Sequence, residues 1–158
     1  NGQVHLERFD LQQVVQSVLA SSEILFRQKK VTLSDNGDHP VYVWADEYMT
    51  EEVVMNYVSN ALNHIDGEKI IEVKIVSCDG KARVSVFNTG KPIPEEDIDK
   101  IWSKFYKVDK ARTREYGGNG IGLSIVKAIM EAHNQAYGVK NYDNGVEFWF
   151  ELDEKTEN

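Results

Sequence analysis

From Ile71 to Val86 the chain alternates. Ile71, Val73 and Ile75 are spaced two apart, and so are Ala82, Val84 and Val86, with Asp79-Gly80 between the two runs. Alternation of this kind turns one face of a strand to a core and the other to water. An Asp-Gly pair joining two such runs sets a tight antiparallel hairpin. A hairpin in mid-chain rules out a sheet made only of parallel strands, so its flanks decide the fold class. Before it, Asp10 reads as an N-cap, after which Leu11, Val14, Val15, Val18, Leu19 and Leu25 recur at helical spacing. A second helical pattern runs from about Asp46 to Ile65, and a third from Ile121 to Ala132. Strands are predicted at Val31–Leu33, Val41–Trp44, Tyr137–Asn141 and Val146–Leu152, with a weak entry strand within residues 1–8 and a short helix from Glu95 to Trp102. Pairs of strands between helices predict an α+β fold. The expected form is a two-layer α/β sandwich, with a mixed, mostly antiparallel sheet packed on three helices. Asn88 to Pro94 reads as a loop. Lys107 to Asn119 is polar, basic and aperiodic, and is expected to be a flexible loop. One domain over residues 1–152 and a frayed tail over 153–158 complete the reading.

Composition narrows the function classes. With 18 basic and 26 acidic residues in 158, the net charge is −8. Sequence-independent nucleic-acid binding rests on basic patches, so no nucleic-acid partner is expected. The single cysteine, Cys78, excludes an intramolecular disulfide. No apolar run approaches the ~20 residues that span a bilayer, so no membrane contact by this domain is expected.

Four motifs carry chemistry. Asn56, Asn60 and Asn63 lie at i, i+4 and i+7 of the second helical pattern, one stripe of carboxamides on a helix otherwise rich in Val, Met, Leu and Ala. Amide oxygens are hard ligands that suit Mg²⁺ carrying phosphates; the plain alternative is a solvated polar face. Asn88-Thr89-Gly90-Lys91-Pro92-Ile93-Pro94 comes directly after a strand. There Asn88 can bond an exocyclic amine and Ile93 can cover a flat ring, although an ordinary turn has the same composition. Gly118, Gly120 and Gly122 open a helix in Gly117-Gly118-Asn119-Gly120-Ile121-Gly122-Leu123, and backbone N–H groups at a helix start cradle phosphates. No strand immediately precedes this run, so it is not a dinucleotide fingerprint. No Gly-Lys-Ser/Thr comes after it either, so it is not a P-loop. Phe105-Tyr106 is succeeded by Lys107, Lys110, Arg112 and Arg114, the composition of a lid whose cations meet a terminal phosphate.

In this order the four motifs resemble the catalytic, ATP-binding domain of sensor histidine kinases, within the superfamily that includes gyrase, mismatch-repair ATPases and heat-shock chaperone ATPases. The resemblance runs from Phe9-Asp10-Leu11 to Leu152. Asn56–His64 matches the family's N box, Asn88–Pro94 its G1 box, Phe105-Tyr106 its F box and Gly118–Leu123 its G2 box. It implies a Bergerat-type sandwich with a flexible ATP lid, using ATP and Mg²⁺. By matching positions it implies Asn60 as metal ligand, with Asn56 beside it. Asn63, Asn88, Gly90, Ile93, Tyr106, Lys107, Gly118, Gly120, Ile121, Gly122 and Leu123 would line the nucleotide. Asn60, Lys107, Arg112 and Arg114 would act on the phosphates. The implied partners are the kinase's own dimerisation and phosphoacceptor domain and a response-regulator receiver domain. The isolated domain is expected to be monomeric, and to be the cytoplasmic part of a membrane-anchored sensor.

Three positions depart from the family pattern: Asn88 replaces an Asp, Pro92 a glycine, and Asn63 a Lys or Arg. A degenerate domain that senses nucleotide or serves as a scaffold is the alternative they raise. Hydrolytic members of the superfamily place a Glu one turn before the metal Asn, where this chain has Asn56, so transfer to a protein acceptor is favoured over hydrolysis. None of His5, His39, His64 and His133 opens a His-Glu or His-Asp motif. The acceptor histidine is therefore expected in a domain preceding Asn1. His133 is expected to cap or pack at a helix end.

Overall fold

The computed structural model describes residues 3–103 and 122–156. Along the chain the elements are β1 (Glu7–Asp10), α1 (Leu11–Ser21), α2 (Glu23–Gln28), β2 (Thr32–Asp35), β3 (Tyr42–Ala45), α3 (Glu47–His64), β4 (Ile70–Cys78), β5 (Lys81–Thr89), α4 (Gly122–Ala132), β6 (Tyr137–Tyr142) and β7 (Gly145–Glu154). The strands form one sheet in the order β1-β3-β7-β5-β4-β2, and β6 also pairs with β7. Among these strands only β2–β4 is parallel; the other pairs are antiparallel. This is the mixed, mostly antiparallel sheet that the alternating runs predict.

The hairpin that anchors the prediction is β4–β5, paired from Ile71↔Asn88 to Cys78↔Lys81. Its inward residues, with those of β7, meet the apolar face of α3 in one core. α3 packs against α1, α4 and β5. Val53, Val54, Tyr57 and Val58 of α3 are at most 1% exposed. Fully burying a Val or Leu side chain is worth roughly 1.5–3 kcal/mol, so this face fixes α3 firmly on the sheet. The Tyr57 ring sits 5.3 Å from that of Phe148, and its hydroxyl donates to the Trp149 carbonyl at 2.9 Å.

The structure departs from expectation in four places. Among the described residues four α-helices are present, not three. The Ser21 and Ser22 hydroxyls both donate to the Val18 carbonyl, at 2.9 and 3.0 Å, and such back-bonding competes with the helix ladder. α1 closes at Ser22 and α2 begins at Glu23; within α2 Phe26 is buried and Leu25 is 47% exposed. The expected short helix from Glu95 is a single 3-10 turn, Glu95–Asp97, succeeded by turns. Asn88 and Thr89 belong to β5, not to a loop, because β7 extends their pairing to Thr89↔Gly145. The last strand also ends later than residue 152. β7 continues through Glu154, with Asp153 and Glu154 paired to Trp44 and Val43 of β3, and the Lys155 N–H donates to the Tyr42 carbonyl.

Candidate functional site

The N-cap of α3 ties three parts of the chain together. Asp46 Oδ1 accepts from the Met49 N–H at 3.0 Å, and Oδ2 accepts from the His5 N–H at 2.9 Å. Burial pushes the Asp46 carboxyl up, but these two backbone donors and the nearby His133 and His5 outweigh it and hold the group below its ordinary value of 3.8. The Asp46 N–H in turn donates to His133 Nε2 at 3.1 Å, while His133 Nδ1 lies 2.9 Å from the Ile129 carbonyl. The ring thus fastens the end of α4 to the N-cap of α3. His133 packs at the end of α4, as expected.

Along α3 the asparagine stripe changes character. Asn56 is half-buried, and its Nδ2 donates to the Glu52 carbonyl at 2.8 Å. Asn60 is only 4% exposed, and neither its Oδ1 nor its Nδ2 has a hydrogen-bond partner among the described residues. Asn63 is exposed. A buried unmet polar group costs roughly 1–3 kcal/mol, so the Asn60 carboxamide is a place where a ligand has something to gain. No group of three or more His, Cys, Asp or Glu positioned to hold a metal occurs among the described residues. The donor set at hand is therefore neutral amide oxygen, which fits a cation that arrives with phosphate oxygens and water in its shell.

The two other described motifs close on α3 through glycines. A Cβ at Gly122, the first residue of α4, would stand 2.8 Å from Asn56 Oδ1. A Cβ at Gly90 would stand 2.5 Å from the His64 carbonyl oxygen, and the residue's φ of +155° already disfavours a side chain. The glycine-opened helix thus abuts the start of the stripe, and the Asn88–Pro94 segment abuts its end. Asn88 is 2% exposed and donates from Nδ2 to the Thr89 carbonyl at 3.1 Å, which orients its amide. The same carbonyl accepts from the Asp66 N–H at 3.0 Å, and Thr89 Oγ1 accepts from the Ile70 N–H at 3.0 Å. Ile93 lies in the core, and Leu123 is half-buried against that core. A cavity of about 280 Å³ opens beside Gly90, lined by Asp66, Gly67, Glu68, Thr89, Lys91 and Asn144.

Asn56, Asn60, Asn88, Gly90, Ile93, Gly122 and Leu123 are thus placed on elements that pack against one another, with Asn63 at the exposed end of the stripe. Tyr106, Lys107, Arg112, Arg114, Gly118, Gly120 and Ile121, with the expected lid, lie outside the described residues. The spacing of the sequence does not reveal Asn141, whose side-chain amide bonds the backbone of Ile93 from 48 residues away.

Residues 45–156 match the model of the family described as histidine kinase-, DNA gyrase B- and HSP90-like ATPase. The chain belongs to this family. Within it, this is a histidine kinase ATP-binding domain. It is 40% identical over 95 residues to the probable sensor kinase SilS of Salmonella typhimurium, a match covering 60% of this chain and 19% of that protein. To the sensor histidine kinase CusS of Escherichia coli O157:H7 it is 35% identical over 133 residues, 84% of this chain and 27% of that one. The catalytic domain of the histidine kinase ThkA has a TM-score of 0.82 and 31% identity, covering 94% of this chain and 95% of that domain. ThkA has also been solved in complex with the response regulator TrrA. The chain spans less than a third of the length of these two curated relatives. Among the described residues no helix is long and apolar enough to cross a membrane.

Proposed function

We propose that this domain binds Mg²⁺·ATP beside α3 and delivers the γ-phosphoryl group to a histidine on a separate dimerisation and phosphoacceptor domain of a two-component sensor. The buried Asn60 carboxamide, without a hydrogen-bond partner among the described residues and on the helix that both Gly90 and Gly122 approach, carries this reading. Asn60 Oδ1 would hold the cation, with Asn56 beside it. Bound there, Mg²⁺ would neutralise phosphate charge as the γ-phosphoryl departs. With Nδ2 engaged by Thr89, the oxygen of Asn88 would accept the exocyclic amine of adenine, Gly90 would let the ring approach, and Ile93 would form the wall beside it. Gly122 and Leu123 would place the start of α4 at the phosphates. Gly118, Gly120 and Ile121 would complete that cradle; Tyr106 would flank the nucleotide, and Lys107, Arg112 and Arg114 would supply cations to the γ-phosphate.

Transfer is favoured over hydrolysis by Asn56. It stands one turn before Asn60, where a water-activating base would be needed, and its amide donates to its own helix instead. The acceptor partner supplies the nucleophilic histidine, and a receiver domain takes the phosphoryl group onward. The whole protein is then a membrane-anchored sensor, with this domain on its cytoplasmic side.

Calorimetry with ATP, with and without Mg²⁺, tests the reading. The domain should bind ATP, Mg²⁺ should tighten binding, and Asn60→Ala should remove the Mg²⁺ dependence. A wild-type domain that does not bind ATP would overturn it.

A further inference from the structure

The β6–β7 hairpin meets the Asn88–Pro94 segment at three points. Gly145 lies against Asn88, whose carbonyl oxygen an added Cβ would overlap. The Asn144 carbonyl accepts from the Gly90 N–H at 3.0 Å. Asn141 then closes a ring of two hydrogen bonds on one residue: Oδ1 accepts from the Ile93 N–H at 2.9 Å, and Nδ2 donates to the Ile93 carbonyl at 2.7 Å. A side-chain amide bonded in this way imitates the exchange of both bonds between two strands. It is applied at a point with few alternatives. Pro92 and Pro94 flank Ile93 and have no N–H, so Ile93 is the one residue of the three that can both donate and accept. The ring closures of the two prolines also fix φ at both neighbours, so the position of Ile93 sets that of the whole strap.

We propose that Asn141 is a positioning residue for the adenine end of the site. It holds the Gly90–Pro94 strap at a set height over the sheet end, and through it Ile93 and the approach at Gly90, without touching the nucleotide. This rests on the ATP-binding reading of the domain. A merely structural brace would lower stability and leave affinity alone. A positioning residue, once removed, loosens the strap and weakens ATP binding in the folded protein.

The test compares wild type with Asn141→Ala and Asn141→Asp, all as the purified domain. The aspartate keeps an acceptor for the Ile93 N–H and loses the donor. Three quantities are read: melting temperature without nucleotide, amide exchange at Ile93, and Kd for Mg²⁺·ATP well below the melting temperature. In Asn141→Ala the Ile93 amide should exchange about tenfold faster and Kd should rise about tenfold, the scale of two neutral hydrogen bonds partly replaced by water. Asn141→Asp sets a carboxylate oxygen against the Ile93 carbonyl, so the Ile93 amide should again exchange faster and Kd should rise by about threefold to tenfold. It also stands in should the alanine variant not fold. An unchanged Kd in either folded variant that exposes Ile93 to exchange would overturn the proposal and leave ATP binding intact. A wild-type domain that does not bind ATP would overturn both.

Discussion

Asn60 and Asn88 are both buried asparagines, and they differ in what surrounds them. At Asn88 the amide nitrogen is bonded to Thr89, Thr89 is bonded to Asp66 and Ile70, and the adjoining strap is fastened by Asn141 and Asn144. At Asn60 neither polar atom has a partner among the described residues. The Asn88 segment is fastened by hydrogen bonds within the chain, and the Asn60 carboxamide has none among the described residues. A site built so distributes its costs unevenly. On the reading proposed above, the adenine end would be held by the chain's own hydrogen bonds, and the metal end would carry an unmet group that a ligand can satisfy.

The largest test of this contrast is Asn60→Leu, which keeps the side-chain volume and removes the polarity. Mg²⁺·ATP-dependent transfer to an added phosphoacceptor domain should fall about 100-fold, the scale of one lost electrostatic contact at a transition state. Stability without nucleotide should rise by about 1–3 kcal/mol in urea unfolding. A fall in stability would mean that Asn60 is satisfied after all, and the contrast would collapse.

Gly145→Ala probes the finished end. Its Cβ would overlap the Asn88 carbonyl oxygen, and overpacking against backbone costs about 1–3 kcal/mol, read as a lower urea midpoint. ATP affinity should fall with it. Asn88→Asp should separate the two quantities. A carboxylate oxygen would face the Thr89 carbonyl where Nδ2 now donates, lowering stability by roughly 1–3 kcal/mol. The same charge strengthens the bond to an adenine amine, so calorimetry should show ATP binding a few-fold tighter.

The smallest effects come from the groups that hold α3 still between the two ends. Tyr57→Phe removes the bond to Trp149 and should cost about 1 kcal/mol at neutral pH. Burial, with Tyr137 nearby, pushes the Tyr57 hydroxyl well above its ordinary value of 10.0. Above that pH the unfolded chain loses this proton while the folded chain keeps it, so wild-type stability should fall as pH rises past 10.0, and fall less in the Phe variant. Asp46 has the opposite sign. Its folded carboxyl sits below 3.8, so its contribution is present above that pH and is lost as pH falls through the folded value. Asp46→Ala should flatten that acid limb and cost about 1 kcal/mol at neutral pH as a lost N-cap.

The sequence makes these regions legible to different degrees. The hairpin, α3, and α1 with its N-cap at Asp10 can be read from spacing alone, because each depends on residues close in the chain. Spacing misplaces Leu25, which lies in α2 beyond the end of α1 and is exposed while its neighbour Phe26 is buried. Asn88 reads as a loop residue because it lies beyond the alternating run of Ala82, Val84 and Val86, and its pairing with Ile71 is extended on the other side by Val146 of β7, far along the chain. Asn141 gives no signal, since one asparagine in a strand has no pattern and its partner is a backbone group. The features that escape are non-local contacts, which only the folded sheet supplies.

β3 and β6 lie end to end along the same edge of β7: β6 beside Gly145–Phe150, and β3 beside Asp153 and Glu154. β7 therefore works as a ruler. At ~3.3 Å per residue its ten residues measure about 30 Å between the strap end of the site and the strands where the chain enters. A one-residue insertion in that strand would shift β1 and β3 against the Asn88–Pro94 segment by a whole pleat. The spacing between the two ends is a length set by a strand, and no loop can adjust it.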